Sequence, residues 1–211
     1  MSYNYDELME AVIAGDVDRA EKLTKRAVDA GANPVEIITD GLTKGMSVVG
    51  VRFKAGDMFV PEVLISARAM TVGMNLVKPL ILAEDVPSAG TVVIGTVKGD
   101  LHDIGKNLVA MMLESAGFNV INVGIDIEPE KFVQAVKDND VDVVGMSALL
   151  TTTMLAMKTT IDQLKDAGLR DGVKVIVGGA PVSQDYADEI GADGFAPDGG
   201  AAIDLCKSLI G

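Results

Sequence analysis

Among 211 residues the chain has one cysteine, one histidine and no tryptophan, and aromatic side chains make up 4% of it. A lone cysteine, Cys206, has no internal disulfide partner and fits a reducing compartment. So few aromatics exclude the stacking platforms on which single-stranded nucleic acids are held. Basic side chains are scarce as well, 18 Lys and Arg against 31 Asp and Glu, for a formal net charge of −13. Such a surface repels phosphate backbones and anionic lipid, so neither nucleic acid nor membrane is an expected partner. No apolar run reaches the roughly 18 residues of a membrane helix. The opening segment, Met1 to Glu7, lacks the basic and apolar stretches of a signal peptide. A soluble, cytoplasmic protein is expected. What is abundant is apolar: 48% hydrophobic residues are enough for a packed core and exclude wholesale disorder.

The first 88 residues read as helices. Leu8, Met9, Val12 and Ile13 recur at helical spacing before Gly15, and Asp16 is placed to cap a second helix running to Ala30. Asn33-Pro34 opens a third helix, carrying Ile37, Ile38, Leu42, Met46 and Val49. Pro61 opens a fourth, carrying Val63, Leu64, Ala67, Met70, Met74 and Val77. Short loops between four amphipathic helices favour a bundle. Asp85 to Gly90 reads as a linker.

Residues 89–211 change rhythm. Strands are expected at Thr91–Thr96, Asn119–Val123, Val141–Ser147, Val173–Val177 and Gly194–Ala196. Helices are expected at Ile104–Ala116, Pro129–Lys137, Thr153–Ala167, Gln184–Ile190 and Gly200–Leu209. Five β-α units in series predict an α/β fold: a helical cap followed by a flavodoxin- or Rossmann-like, doubly wound five-stranded parallel sheet. Ligands of such sheets bind beyond the carboxyl ends of the strands. Loops 97–103, 124–128, 147–153, 178–183 and 197–199 are therefore the candidates.

The first of these reads Gly99-Asp100-Leu101-His102-Asp103-Ile104-Gly105 and holds the chain's single histidine. Asp100, two residues earlier, falls on the same side of an extended loop, where a carboxylate can fix the imidazole tautomer and raise the basicity of its other nitrogen. One histidine cannot hold a bare zinc ion, but it can be axial ligand to a metal already ringed by a macrocycle. Gly105, at the helix start, leaves room for a bulky planar group to approach the backbone. The plainer alternative makes His102 a surface or capping residue and the glycines turn punctuation.

Asp100-x-His102-x-x-Gly105 resembles the Asp-x-His-x-x-Gly motif of cobalamin-binding domains. Ser147-x-Leu149 and Gly178-Gly179 follow after the third and fourth strands, in the family's order. Asp57 to Val63 with Ser66 to Met70 resembles the helical cap of the methylcobalamin-binding module of methionine synthase. Taken together the chain is similar to the corrinoid proteins of multi-component methyltransferase systems.

That resemblance implies a cobalamin or related corrinoid bound base-off and His-on, with His102 as lower cobalt ligand, Asp100 on its second nitrogen and Thr153 completing the relay. Gly99, Leu101, Asp103 and Ile104 would line the cofactor with them. The displaced nucleotide tail would run between Ser147, Leu149, Leu150, Thr151, Gly178 and Gly179, although Gly178-Gly179 also reads as a plain strand-to-loop turn. Phe59, with Val60 beside it, would shield the methyl group; a bundle-core place is the alternative. Met70, Met74, Met111, Met112 and Cys206 read as core filler. The implied function is a carrier, taking a methyl group from a substrate-specific methyltransferase onto Co(I) and passing it to a second methyltransferase with a folate or thiol acceptor. A cobalamin-responsive regulatory or storage module is the alternative, though no basic recognition helix accompanies it. The cobalamin domain of a carbon-skeleton mutase and a corrinoid-free flavodoxin-like domain are further rivals.

Overall fold

A computed structural model describes residues 4–80 and 88–211. Contacts divide the chain into two compact units: Ser88–Glu114 with Phe118–Gly211, and the residues before Ser88 with Ser115–Gly117.

In the helical unit, α1 spans Asp6–Ile13, α2 Val17–Asp29, α3 Pro34–Glu36, α4 Lys44–Lys54 and α5 Val60–Val77. The expected caps are in place. Asp16 accepts from the Arg19 N–H at 3.0 Å, and Asn33 from the Val35 N–H at 2.9 Å. The third expected helix differs from a plain α-helix, because a π-helical stretch at Ile37–Thr43 joins α3 to α4. Gly41 lies within this wide turn and Gly45 just after it. A methyl group at Gly41 would come within 2.7 Å of Leu8 Cδ2, and one at Gly45 within 2.9 Å of Val12 Cβ. The missing side chains thus admit α1 against the wide turn, a packing detail that helical periodicity does not encode. Leu8, Val12, Ile37, Leu42, Val49, Val63 and Val77 form the buried interior of this unit. Of the expected linker, residues 85–87 lie outside the described residues; Ser88 to Gly90 lead into the first strand.

The second unit alternates throughout. Its strands are β1 Thr91–Val97, β2 Asn119–Ile127, β3 Val143–Ser147, β4 Lys174–Gly178 and β5 Gly194–Phe195. Between and after them come α6 Ile104–Ser115, α7 Pro129–Asp138, α8 Leu155–Asp166, α9 Gln184–Ile190 and α10 Gly199–Ile210. The sheet is parallel, in the order β2-β1-β3-β4-β5. Consecutive connections diverge between β1 and β3, so this is the switch point where the loops open a crevice. Val93, Val144 and Val175 are fully buried in neighbouring strands, as expected of a sheet covered on both faces. Gly95 admits α7: a methyl there would lie 2.8 Å from Phe132 Cζ and 2.6 Å from Val123 Cγ2.

Two boundaries shift from expectation in ways that matter for the site. α8 begins at Leu155, so Thr153 belongs to the preceding turn rather than the helix. β2 continues to Ile127, four residues beyond the expected end at Val123. It does so through bulges. Ile94 pairs with Asn122 but Gly95 with Gly124, and Val97 pairs with Ile127. Extra residues on one strand break the period of two, which is why this segment resembles a loop in the sequence. No described helix is long and apolar enough to cross a membrane.

Candidate functional site

Asp100 organises the end of β1. Its side chain is fully buried, while that of His102 is 52% exposed. Oδ1 accepts from His102 Nδ1 at 2.7 Å and from the His102 N–H at 3.1 Å. Oδ2 accepts the Leu149 N–H at 2.7 Å and the Leu150 N–H at 3.2 Å, both from the turn after β3. Thr153 Oγ1 lies 2.8 Å from the same oxygen and 2.8 Å from the Leu150 carbonyl, so its one proton has two acceptors, the carboxylate the stronger. Burial by itself would push the Asp100 carboxyl up. The donors from Leu149, His102 and Thr153 outweigh it and hold the carboxyl well below the usual range. An ionised carboxylate only accepts, so Nδ1 carries the proton and, in the neutral ring, Nε2 keeps its lone pair.

The loop is held from outside too. The Thr96 hydroxyl donates to the His102 carbonyl at 2.7 Å. Asp126 Oδ1 accepts the Gly99 N–H at 2.8 Å, and the Asp126 N–H donates to the Asp100 carbonyl at 3.0 Å. Lys98 reaches Glu128 at 2.7 Å and Asp126 at 3.6 Å. Inside α6, Lys106 Nζ lies 2.6 Å from Asn107 Oδ1 and 2.7 Å from Asn122 Oδ1. Burial pushes its ammonium below the ordinary lysine value, against the opposing charge of Asp103. Neither Asp126 nor Lys106 was marked by the sequence pattern, since neither falls in a recognisable motif. Only the position of Asp126 in a ligand-facing loop pointed toward it.

Among the described residues, no cluster of three His, Cys, Asp or Glu could hold a metal ion. A single imidazole nitrogen suits a metal whose in-plane positions are already filled by a macrocycle. The surroundings fit such a group. Leu101 and Ile104, on either side of His102 and Asp103, are 67% and 80% exposed; Leu149 and Leu150 are exposed on the turn that donates to Asp100, and Leu155 is exposed at the start of α8. A carbon added at Gly105 would meet open space within 4 Å. An exposed apolar rim around one half-open imidazole is the surface a large, flat, mostly apolar ligand would cover.

The remaining expected residues take distinct places. Ser147 ends β3, paired with Gly178 and Thr96 across the sheet. The Ala148 N–H donates to the Gly178 carbonyl at 3.1 Å. Gly179 adopts φ +121°, and a Cβ there would lie 1.9 Å from the Ala148 carbonyl oxygen. A Cβ at Gly178 would lie 2.8 Å from the Ala196 carbonyl oxygen. Backbone proximity alone therefore requires glycine at 179, with or without a ligand. Thr151 is exposed in the turn. Phe59 precedes α5 as a 70% exposed residue, which removes it from the bundle core, and Val60 is exposed beside it. Met70 and Met112 are core residues, and Cys206 is fully buried, its thiol pushed up to about 12 by burial.

Comparison with known proteins identifies the family. B12 binding domain families match residues 90–206 and 5–78. A corrinoid protein of Desulfitobacterium hafniense is 46% identical over 209 residues, spanning 98% of this chain and 97% of that one. Trimethylamine corrinoid protein 1 of Methanosarcina acetivorans is 46% identical over 202 residues, 95% of this chain and 92% of that one. Among solved structures, the methanol:cobalamin methyltransferase complex of Methanosarcina barkeri gives a TM-score of 0.88 at 32% identity, covering 99% of this chain and 81% of that one. A cobalamin-binding protein of Desulfitobacterium hafniense DCB-2 gives 0.82 at 30% identity, covering 99% and 100%. Matched along both its helical and its α/β parts, the chain belongs to the B12-binding corrinoid proteins of methyltransferase systems.

Proposed function

We propose that this protein is a cytoplasmic methyl carrier whose corrinoid is bound base-off with His102 Nε2 as the lower ligand. The observation that carries the reading is the fully buried Asp100 carboxylate, which takes Nδ1 of the single histidine and leaves Nε2 on a half-exposed ring. The bound corrinoid would supply a cobalt centre that accepts and releases a methyl group. Asp100 fixes the imidazole in the tautomer that presents Nε2, and the Leu149 and Leu150 amides keep that carboxylate ionised. Thr153 adds a hydroxyl donor on the far oxygen. Leu101, Ile104, Leu149 and Leu150 would cover the ring's apolar edge and keep water from it. Gly99, Asp103, Gly105, Ser147, Thr151, Gly178 and Gly179 complete the proposed contact set. Residues 1–88 would form the cap, with Phe59 and Val60 as its ligand-facing candidates, and residues 89–211 the corrinoid domain.

Among the described residues no group of three His, Cys, Asp or Glu could hold a metal ion to activate a methyl acceptor, and loading and unloading would fall to partner methyltransferases. Relatives carry names for trimethylamine and dimethylamine, and a neighbouring structure for methanol, so methylated amines and methanol head the donors to assay. Mixing the purified protein with hydroxocobalamin and desalting tests the reading. The wild type should retain the corrinoid with a histidine-ligated visible spectrum, while His102→Ala should lose that spectrum. Asp100→Asn should weaken retention by about 10- to 100-fold, as removal of a metal ligand's hydrogen-bond partner typically does. A wild-type complex with the benzimidazole base still on cobalt would overturn the assignment.

A further inference from the structure

Asp126 is the one described non-glycine residue with positive φ, at 53°. A left-handed backbone is costly for a residue with a Cβ, and it persists only where surrounding contacts impose it. Here the contacts converge on the histidine loop. Between Gly95 and Val97 of β1 stands one residue, Thr96, whereas β2 places Ile125 and Asp126 between their partners Gly124 and Ile127. Bulges commonly re-aim a side chain next to a functional site. This one brings the Asp126 carboxylate to the Gly99 N–H at 2.8 Å and the Asp126 N–H to the Asp100 carbonyl at 3.0 Å. Gly99 itself is left-handed, at φ 82°. Two unusual conformations, one just past the end of β1 and one inside β2, are thus tied to each other.

We propose that Asp126 is a positioning residue for corrinoid binding: through the Gly99 amide and the Asp100 carbonyl it fixes where Asp100, and hence His102, stands. The inference rests on the corrinoid reading above and goes beyond it by naming a residue that hydrogen-bonds the backbone of the histidine loop rather than the imidazole. Asp126 acts as a hydrogen-bond acceptor toward Gly99. Its ion pair with Lys98 is longer, at 3.6 Å, and its side chain is 42% exposed, where such pairs contribute little. Lys98 also has a nearer partner in Glu128, at 2.7 Å. Charge is therefore not what the position requires.

Four variants separate the possibilities. Asp126→Gly relieves the backbone strain but removes the acceptor; Asp126→Ala removes the acceptor and keeps the strain. Asp126→Asn keeps an acceptor oxygen and tolerates the left-handed backbone; Lys98→Met removes the ion pair alone. Each is melted without ligand, mixed with hydroxocobalamin and desalted. The wild type, Asp126→Asn and Lys98→Met should retain the corrinoid with the histidine-ligated spectrum. Asp126→Gly, with a melting curve close to wild type, should bind about 10-fold more weakly and show a reduced histidine-ligated fraction. As His102 is the only histidine, a nitrogen-15 spectrum of the unliganded protein should show one Nδ1–H tautomer in the wild type and a mixture in Asp126→Gly. Wild-type affinity, spectrum and tautomer in Asp126→Gly would overturn the proposal. Failure of the wild type itself to bind through histidine would instead overturn the reading beneath it.

Discussion

At the scale of single residues, burial decides what a group can do. Asp100 and Cys206 are both fully buried, yet the first stays ionised and the second stays neutral. Donors ring Asp100; Cys206 is shifted by desolvation alone. The consequence for Cys206 is a pH-dependent stability with a definite sign. The unfolded chain releases the thiol proton near the ordinary value of 9.0, while the folded chain holds it to about 12. The unfolded state therefore binds fewer protons in that window, and stability falls as pH rises through it. Denaturant melts between pH 8 and 11 should show a slope of at most about 1.4 kcal/mol per pH unit from this group. Cys206→Ala should remove that component, and the native thiol should resist alkylation until the protein unfolds. Phe59 teaches the reverse lesson. Its exposure means that Phe59→Ala should change the apo-protein's stability by no more than about 0.5 kcal/mol, measured by denaturant titration.

At the scale of elements, close backbone approach governs the strand ends. The junction of the β3 and β4 loops has the Ala148 N–H on the Gly178 carbonyl, with Gly179 left-handed directly against Ala148. Gly179→Ala would place a carbon inside the Ala148 carbonyl, and neither backbone can yield without displacing the Leu149 and Leu150 amides that follow. The expected outcome is a loss of more than about 2 kcal/mol in stability together with weakened corrinoid retention. Phe132→Ala is the contrasting case. It empties the space between α7 and Gly95 and should cost about 3–5 kcal/mol by denaturant melting. The cofactor spectrum of its folded fraction should stay unchanged, because Phe132 lies in the core behind the loops rather than on Asp100.

At the scale of the whole molecule, two contact units and a strongly acidic charge set the behaviour. The α/β unit contains the complete Asp100–His102–Thr153 set. A fragment of residues 88–211 should therefore fold cooperatively by circular dichroism and retain the single Nδ1–H tautomer of His102; a molten fragment would show that the helical unit is needed to close this core.

The sequence by itself determined the order of helices and strands, though neither the π-helical turn nor the bounds of β2 and α8, together with the parallel alternation and the pairing of the histidine with its carboxylate, since periodicity, caps and short motif spacing are local properties. The place of Thr153 on Asp100 was implied by family resemblance alone, and nothing in the sequence showed that the Leu149 and Leu150 amides converge there too, because hydrogen bonds across a switch point exist only once β1 and β3 are neighbours. Nor could it show the β2 bulge or the role of Asp126. An inserted residue is invisible until two strands are paired and one proves longer than the other. Tertiary structure made that decision, by turning an acidic stretch with no motif of its own into the support of the loop that holds His102.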